Sequence, residues 1–266
     1  MKLHTEVRGS GPELVLVHGW GVNSGVWQPI VPLLAKHYRV TSVDLPGHGA
    51  SSKVSMPVSL AAVTQQVLEV APSFAIWLGW SLGGLVCLQI AAHFSVRVRG
   101  LILSNTTPRF ITAADWPHAM PPAQLDVFAT ELTLDFADTV RRFLALQVMG
   151  DQHARATLRA LRDSVLSRGD PDAGSLAAGL SILRDSDLRD DLRHITAPTL
   201  VMAGAYDRVT PSQAGEFMAS AIKDAEFICL PRAAHAPFIS HSLDFVQALN
   251  TFTGRKIPGP VHEYAN

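Results

Sequence analysis

Short aliphatic runs alternate along this chain with longer segments whose apolar residues recur at helical spacing. Leu14-Val15-Leu16-Val17 is a continuous aliphatic run of the kind found in strands buried on both faces. A half-polar strand candidate at residues 2–8 and the turn Gly9-Ser10-Gly11-Pro12 precede it, and the loop signal His18-Gly19-Trp20-Gly21 closes it. The segment Val26 to Lys36 predicts a helix, with Pro29 and Pro32 pointing to a start near Pro29. Arg39-Val40-Thr41-Ser42-Val43 reads as the next strand and runs into Asp44-Leu45-Pro46-Gly47-His48-Gly49. Residues 59–71 predict a helix with Leu60, Val63, Val67, Leu68 and Ala71 facing inward. An apolar run over Phe74-Ala75-Ile76-Trp77-Leu78, a buried helix over Leu85–Ala92 and a strand over Val98–Ser104 follow. Strands that alternate with helices predict a mostly parallel sheet covered on both faces.

From Pro108 to Asp187 the pattern changes. Helical segments around 122–134, 135–149, 151–167 and 174–184 are separated by Pro, Gly and Asp clusters, and no buried strand intervenes. Strand patterning resumes at Thr199-Leu200-Val201-Met202-Ala203 and again at Ala225–Leu230, and a last helix is predicted from Leu243 to Phe252. The organisation expected is therefore one α/β core, residues 1–107 and 188–253, carrying a helical cap insertion at 108–187. The tail 254–266, with two prolines and little apolar pattern, is expected to be loosely held.

Composition narrows the class. Hydrophobic residues make up 47% and charged residues 17% of the 266, which describes a globular protein with a sizeable core. A net charge of −1 gives the molecule no polyanion-binding signature, so nucleic acid is not an expected partner. The first residues lack the apolar centre of a signal peptide, and no run reaches the ~20 apolar residues of a membrane span. A cytoplasmic monomer that does not engage membranes is expected. Cys87 and Cys229 both sit in apolar runs and read as buried structural thiols. No His or Cys cluster has ligand spacing, so neither metal nor cofactor is expected.

The chemistry centres on Gly79-Trp80-Ser81-Leu82-Gly83, a G-x-S-x-G pattern between a strand and a helix. A serine squeezed there sits in a sharp turn that lifts its hydroxyl above the sheet. The amide of Leu82, at the start of the helix, would face a developing oxyanion. A serine hydroxyl needs a base to take its proton. Asp207 and His235 each follow a strand, in the order serine, acid, histidine, and open α/β sheets place ligands at those strand ends. His235 is the expected base, and Asp207 its orienting partner. Asp187, Asp190 and Asp191 precede the strand and are weaker candidates for the acid. The second oxyanion donor is expected in the loop after Val17, with the Trp20 amide the best candidate. His18 and the segment Asp44–Ser51 read as structural elements of their loops.

These residues, together with Arg142-Phe143-Leu144-Ala145-Leu146-Gln147 and Ala233-Ala234-His235-Ala236-Pro237-Phe238-Ile239-Ser240-His241, resemble a known family. Over roughly residues 3–252 the chain is similar to the pimeloyl-[acyl-carrier protein] methyl ester esterases, α/β-hydrolases of biotin synthesis. The resemblance implies a serine esterase that demethylates a pimeloyl ester carried on acyl-carrier protein. It implies substrate contacts from Trp20, Ser81, Leu82, Phe143, Leu144, Ala145, Leu146, Gln147 and His235. It also implies cap arginines that meet the acidic carrier. Arg155, Arg159 and Arg162 recur at helical spacing, and Arg141 and Arg142 lie on the preceding helix, with Asp151 as the offsetting acid between 141 and 162. Arg142, Arg155 and Arg159 are the expected carrier patch. Asp138 departs from the family pattern, which has a basic residue four positions before Arg142.

The triad does not define the acyl group. A general short-chain carboxylesterase, a lactonase or a C–C bond hydrolase would use the same residues. A non-catalytic pocket for a small ligand is the more distant alternative, and the complete Ser-Asp-His set argues against it.

Overall fold

The computed structural model describes residues 1–166 and 171–257. Its seven strands are β1 (Thr5–Arg8), β2 (Glu13–Val17), β3 (Arg39–Val43), β4 (Ala75–Trp80), β5 (Val98–Ser104), β6 (Thr199–Gly204) and β7 (Ala225–Leu230). They form one sheet in the order β1-β3-β2-β4-β5-β6-β7. β1 runs antiparallel to β3, and every other pairing is parallel. The central strands are largely apolar because both of their faces are covered; all of β4 and all of β6 are buried. β7 is an edge strand, and this corrects the reading of Cys229, which is exposed, whereas Cys87 is buried.

Ten helices cover and extend the sheet among the described residues: α1 (Val31–Leu34), α2 (Leu60–Leu68), α3 (Leu82–His93), α4 (Pro122–Leu134), α5 (Phe136–Gln147), α6 (Ala154–Leu166), α7 (Ala173–Asp185), α8 (Ser212–Ala221), α9 (Pro237–Ser240) and α10 (Ser242–Lys256). α3 packs on β2, β4 and β5, and α8 packs on β6 and β7. The helix expected from Val26 to Lys36 is broken into a 3-10 turn at Ser24–Trp27 and the short α1. The side chain of Asn23 caps that turn at the Gly25 amide, and Pro32, which lacks an N–H, sits in the first turn of α1. α10 extends past the expected end at Phe252. Gly254 is helical, and Ile257, 7% exposed, packs on Gly100, so the tail is anchored further along than the sequence suggests. Residues 258–266 lie outside the described residues.

Between β5 and β6 the chain forms α4 to α7, with two isolated bridges, Ile111 to Met120 and Ala113 to Trp116, and no strand among the described residues of that stretch. α4 packs on α5 and α7, α5 on α6, and α6 on both the Ser24–Trp27 turn and α9. These helices lie over the carboxyl ends of the strands, where the candidate catalytic residues gather. No helix among the described residues is long and apolar enough to cross a membrane.

Candidate active site

Ser81 sits between β4 and α3 with φ 55° and ψ −120°, a conformation that an L residue enters at a cost of about 1–3 kcal/mol. The flanking glycines make the turn possible. A Cβ on Gly79 would stand 2.4 Å from the Gly83 carbonyl oxygen, and one on Gly83 would stand 2.1 Å from the Val17 carbonyl oxygen. The turn is pinned from outside as well: the Ser81 amide donates to the Ser104 carbonyl (3.2 Å), and Thr106 Oγ1 donates to the Ser81 carbonyl (2.8 Å).

The loop after β2 closes against this turn, since a Cβ on Gly19 would lie 3.1 Å from Ser81 Cβ. The amides of Trp20 and Leu82 therefore belong to the two segments that flank Ser81. As the first residue of α3, Leu82 has an amide without an intrahelical acceptor. The loop is held from below by buried histidines. The Leu45 amide donates to His18 Nε2 (2.9 Å), which leaves Nδ1 to donate to the Gly19 carbonyl (2.8 Å). The Gly21 amide donates to His48 Nε2 (3.2 Å), and His48 Nδ1 donates to the Pro46 carbonyl (2.8 Å). Asp44 accepts from the Ser24 and Ala50 amides (2.7 and 2.9 Å).

His235 and Asp207 are both buried, with Nδ1 of the imidazole 2.8 Å from Oδ2 of the carboxylate. The same oxygen accepts from Thr210 Oγ1 (2.7 Å) and Asn105 Nδ2 (2.7 Å), and Oδ1 accepts from the Val209 and Thr210 amides (2.8 and 3.0 Å). Burial alone would push the Asp207 carboxyl up. The attraction of His235 and the hydrogen bonds from His235, Thr210 and Asn105 outweigh it and hold the pKa below the ordinary aspartate value. Asp207 is thus an anion that orients the imidazole, and His235 Nε2 is left buried with no hydrogen-bond partner among the described residues. Ser81 Oγ is not hydrogen-bonded to it. Such contacts are often long without substrate.

Trp20 lies at the seam between sheet and cap. Its Nε1 donates to the Leu176 carbonyl on α7 (2.9 Å), and its ring meets that of Phe143 edge-on at 4.9 Å. Of the expected substrate segment, Phe143, Leu144 and Gln147 are buried, Leu146 is partly exposed and Ala145 faces solvent. Five consecutive helical residues cannot share one face, and Phe143, Leu144 and Gln147 are the three that the fold buries. Gln147 Oε1 is a second buried polar atom without a partner among the described residues.

The arginine patch is rearranged by ion pairs. Arg142 reaches Glu131 on α4 (2.6 Å) and Asp138 (3.0 Å), and Arg141 pairs with Asp138 (2.9 Å). Glu131 and Asp138, and not Asp151, offset these arginines; the Asp151 carboxylate is buried and faces backbone amides. Arg155, Arg159 and Arg162 line the exposed face of α6. The sequence did not point to Asn105, Trp80 or Asp151 as partners of the histidine loop. Asn105 Nδ2 bridges Asp207 Oδ2 to the Ala234 carbonyl (3.1 Å), and Trp80 Nε1 donates to the His235 carbonyl (2.7 Å). Among the described residues, no group of three or more His, Cys, Asp or Glu could hold a metal ion.

Residues 12–242 match the α/β hydrolase fold family. The chain belongs to that family. Within it, the chain is 42% identical to a pimeloyl-[acyl-carrier protein] methyl ester esterase from Xanthomonas oryzae pv. oryzae over 250 residues, 94% of this chain and 98% of that protein. Among solved structures, a hydrolase from Pseudomonas aeruginosa PA01 superposes with a TM-score of 0.82 at 31% identity, covering 95% of this chain and 94% of the other. The enol-lactonase from Burkholderia xenovorans LB400 does so with a TM-score of 0.79 at 25% identity, covering 95% and 96%. As an α/β hydrolase the chain carries its candidate nucleophile, base and acid at the strand ends the fold uses for them.

Proposed function

We propose that this chain is a serine carboxylesterase that hydrolyses the methyl ester of pimeloyl-[acyl-carrier protein], freeing the pimeloyl carboxylate for biotin synthesis. The observation that carries the reading is the buried His235–Asp207 pair, its carboxylate held by five donors and its imidazole Nε2 left open, beside a serine on a strained strand-to-helix turn. Near-full-length likeness to esterases of that name supports the substrate.

Ser81 Oγ attacks the ester carbonyl carbon while its proton passes to His235 Nε2. Charge gathers on the carbonyl oxygen and rests on the Trp20 and Leu82 amides. Asp207 keeps Nδ1–H oriented and stabilises the imidazolium without taking its proton. Collapse breaks the bond to methoxide, which leaves as methanol with the proton from Nε2, and Ser81 keeps the acyl group. Water then attacks the acyl carbon, gives its proton to Nε2 and releases the acid, and Ser81 recovers its proton. Trp20, Phe143, Leu144 and Gln147 flank the acyl chain. The α6 arginines Arg155 and Arg159 draw the acidic carrier, with Arg142 a lesser contributor because Glu131 and Asp138 neutralise it. The enzyme acts as a cytoplasmic monomer.

Methanol release from pimeloyl-[acyl-carrier protein] methyl ester tests this reading. Wild type should turn over and Ser81→Ala should lose about six orders of magnitude in kcat, as serine hydrolases do when the nucleophile is removed. Turnover by Ser81→Ala would contradict the mechanism. Cleavage of a short p-nitrophenyl ester without any cleavage of the carrier-bound one would contradict the substrate.

A further inference from the structure

The loop that carries His235 is held from two sides, and the two sides hold different atoms. The sheet side satisfies its carbonyls: the Tyr206 amide donates to Ala233 (2.9 Å), Asn105 Nδ2 to Ala234 (3.1 Å) and Trp80 Nε1 to His235 (2.7 Å). The cap side satisfies its amides. The His235 N–H donates to the Gln147 carbonyl at the end of α5 (3.0 Å), and the Ala234 N–H donates to Asp151 Oδ2 (3.0 Å). One further strap runs the other way, from the Gln152 amide to the Arg232 carbonyl (3.1 Å), at a residue with φ 61°.

We propose that Asp151 is a positioning residue for the hydrolysis, through which the cap sets the height and tilt of His235. Its carboxylate, on a residue 7% exposed, spends one oxygen on the turn into α6, where Oδ1 accepts from the His153 amide (2.6 Å). The other oxygen reaches out of the cap to the peptide next to the base. A buried amide that loses its acceptor must find another or move, and the Ala234 amide can move only by turning the Ala233–Ala234 peptide, which immediately precedes the one that joins His235. The consequence falls on Nε2, the imidazole atom without a partner among the described residues, whose distance to Ser81 sets proton transfer. Asp151 is therefore expected to affect the chemical step and not the binding of a small ester.

The inference rests on the triad reading, so the test carries Ser81→Ala beside it. Asp151→Ser keeps a short acceptor for the His153 amide but cannot also span to Ala234; Asp151→Ala loses both contacts. On a short p-nitrophenyl ester, Asp151→Ser and Asp151→Ala should each lower kcat roughly 10- to 100-fold with KM within about twofold. Only Asp151→Ala should also lower the urea midpoint appreciably. Wild-type kcat in a folded Asp151→Ser would overturn the proposal, as would a rise in KM alone. Amide hydrogen exchange on the wild-type protein decides the matter if neither variant folds. The Ala234 and His235 amides should open together with those of the α5–α6 turn; exchange of the histidine loop independent of the cap would refute the coupling. Turnover by Ser81→Ala would instead defeat the underlying triad reading.

Discussion

The loops after β6 and β7 and the outer face of the cap both carry charged side chains, yet they use them in opposite ways. Around Asp207, five donors converge on one buried carboxylate: His235 Nδ1, Thr210 Oγ1, Asn105 Nδ2 and the amides of Val209 and Thr210. On the cap, Arg141, Arg142, Glu131 and Asp138 pair at the surface, each partly or largely exposed. A buried carboxylate missing one donor is left unpaired in a dry site, and a fully satisfied one fixes the geometry of everything it touches. Surface pairs of the second kind contribute about 0–1 kcal/mol each, are screened by salt and can exchange partners. The contrast is what the proposed division would need, with rigid chemistry at the strand ends and adaptable recognition on the cap.

The largest effect that could break this contrast lies at Asp207. Asp207→Asn keeps the shape but puts an amide N–H where the donors of His235, Thr210 and Asn105 converge, which favours the wrong imidazole tautomer. On a short ester kcat should fall by about 10⁴-fold, the size known for this change in serine proteases. A loss of less than about tenfold in steady-state assays would mean the buried network is not what orients the base.

A smaller effect belongs to the buried histidines beneath the loop after β2. Burial first, and repulsion from His18 second, push the His48 imidazole down from 6.5 to about 3. Between those values the unfolded chain binds a proton that the folded chain does not. This contribution is therefore fully present above pH 6.5 and declines as pH falls toward 3, by about 2 kcal/mol at pH 5. Asp207 has the same sign in a more acid range: with a folded pKa below its ordinary 3.8, its contribution is present above that value and is lost as pH falls below it. Urea midpoints at pH 7 and pH 5 should thus differ in wild type, and differ less in His48→Gln, whose amide can still accept from Gly21 and donate to Pro46. Equal slopes in the two proteins would remove His48 from the account.

How far the sequence could be read follows from the range of the interactions involved. The turn around Ser81 was legible because its requirements are local: a strand, a helix and glycines where backbone closes on backbone. Asp207 and His235 were legible because each follows its own strand. The four cap helices were legible from their periodicity, close to their observed bounds. Asn105, Trp80 and Asp151 were not, because each acts on a backbone atom of the histidine loop between 83 and 155 residues away. Nothing in local patterning marks such a partner. The length of the Val26–Lys36 helix was overestimated because two prolines count as helix-start signals, whereas here the first precedes α1 and the second sits in its only full turn. The pairing of Arg142 was not legible because Glu131, eleven residues away on α4, reaches it only once the cap has folded.

The most direct test of the division between chemistry and recognition is a ratio. It compares kcat/KM for pimeloyl-[acyl-carrier protein] methyl ester with that for a short p-nitrophenyl ester, in wild type and in a variant with Arg155→Ala and Arg159→Ala. If the cap recognises the carrier and the sheet edge performs the chemistry, the variant loses about tenfold or more on the carrier-bound ester, least at high salt, and keeps its rate on the short one. Equal losses on both substrates, or none on either, would contradict it.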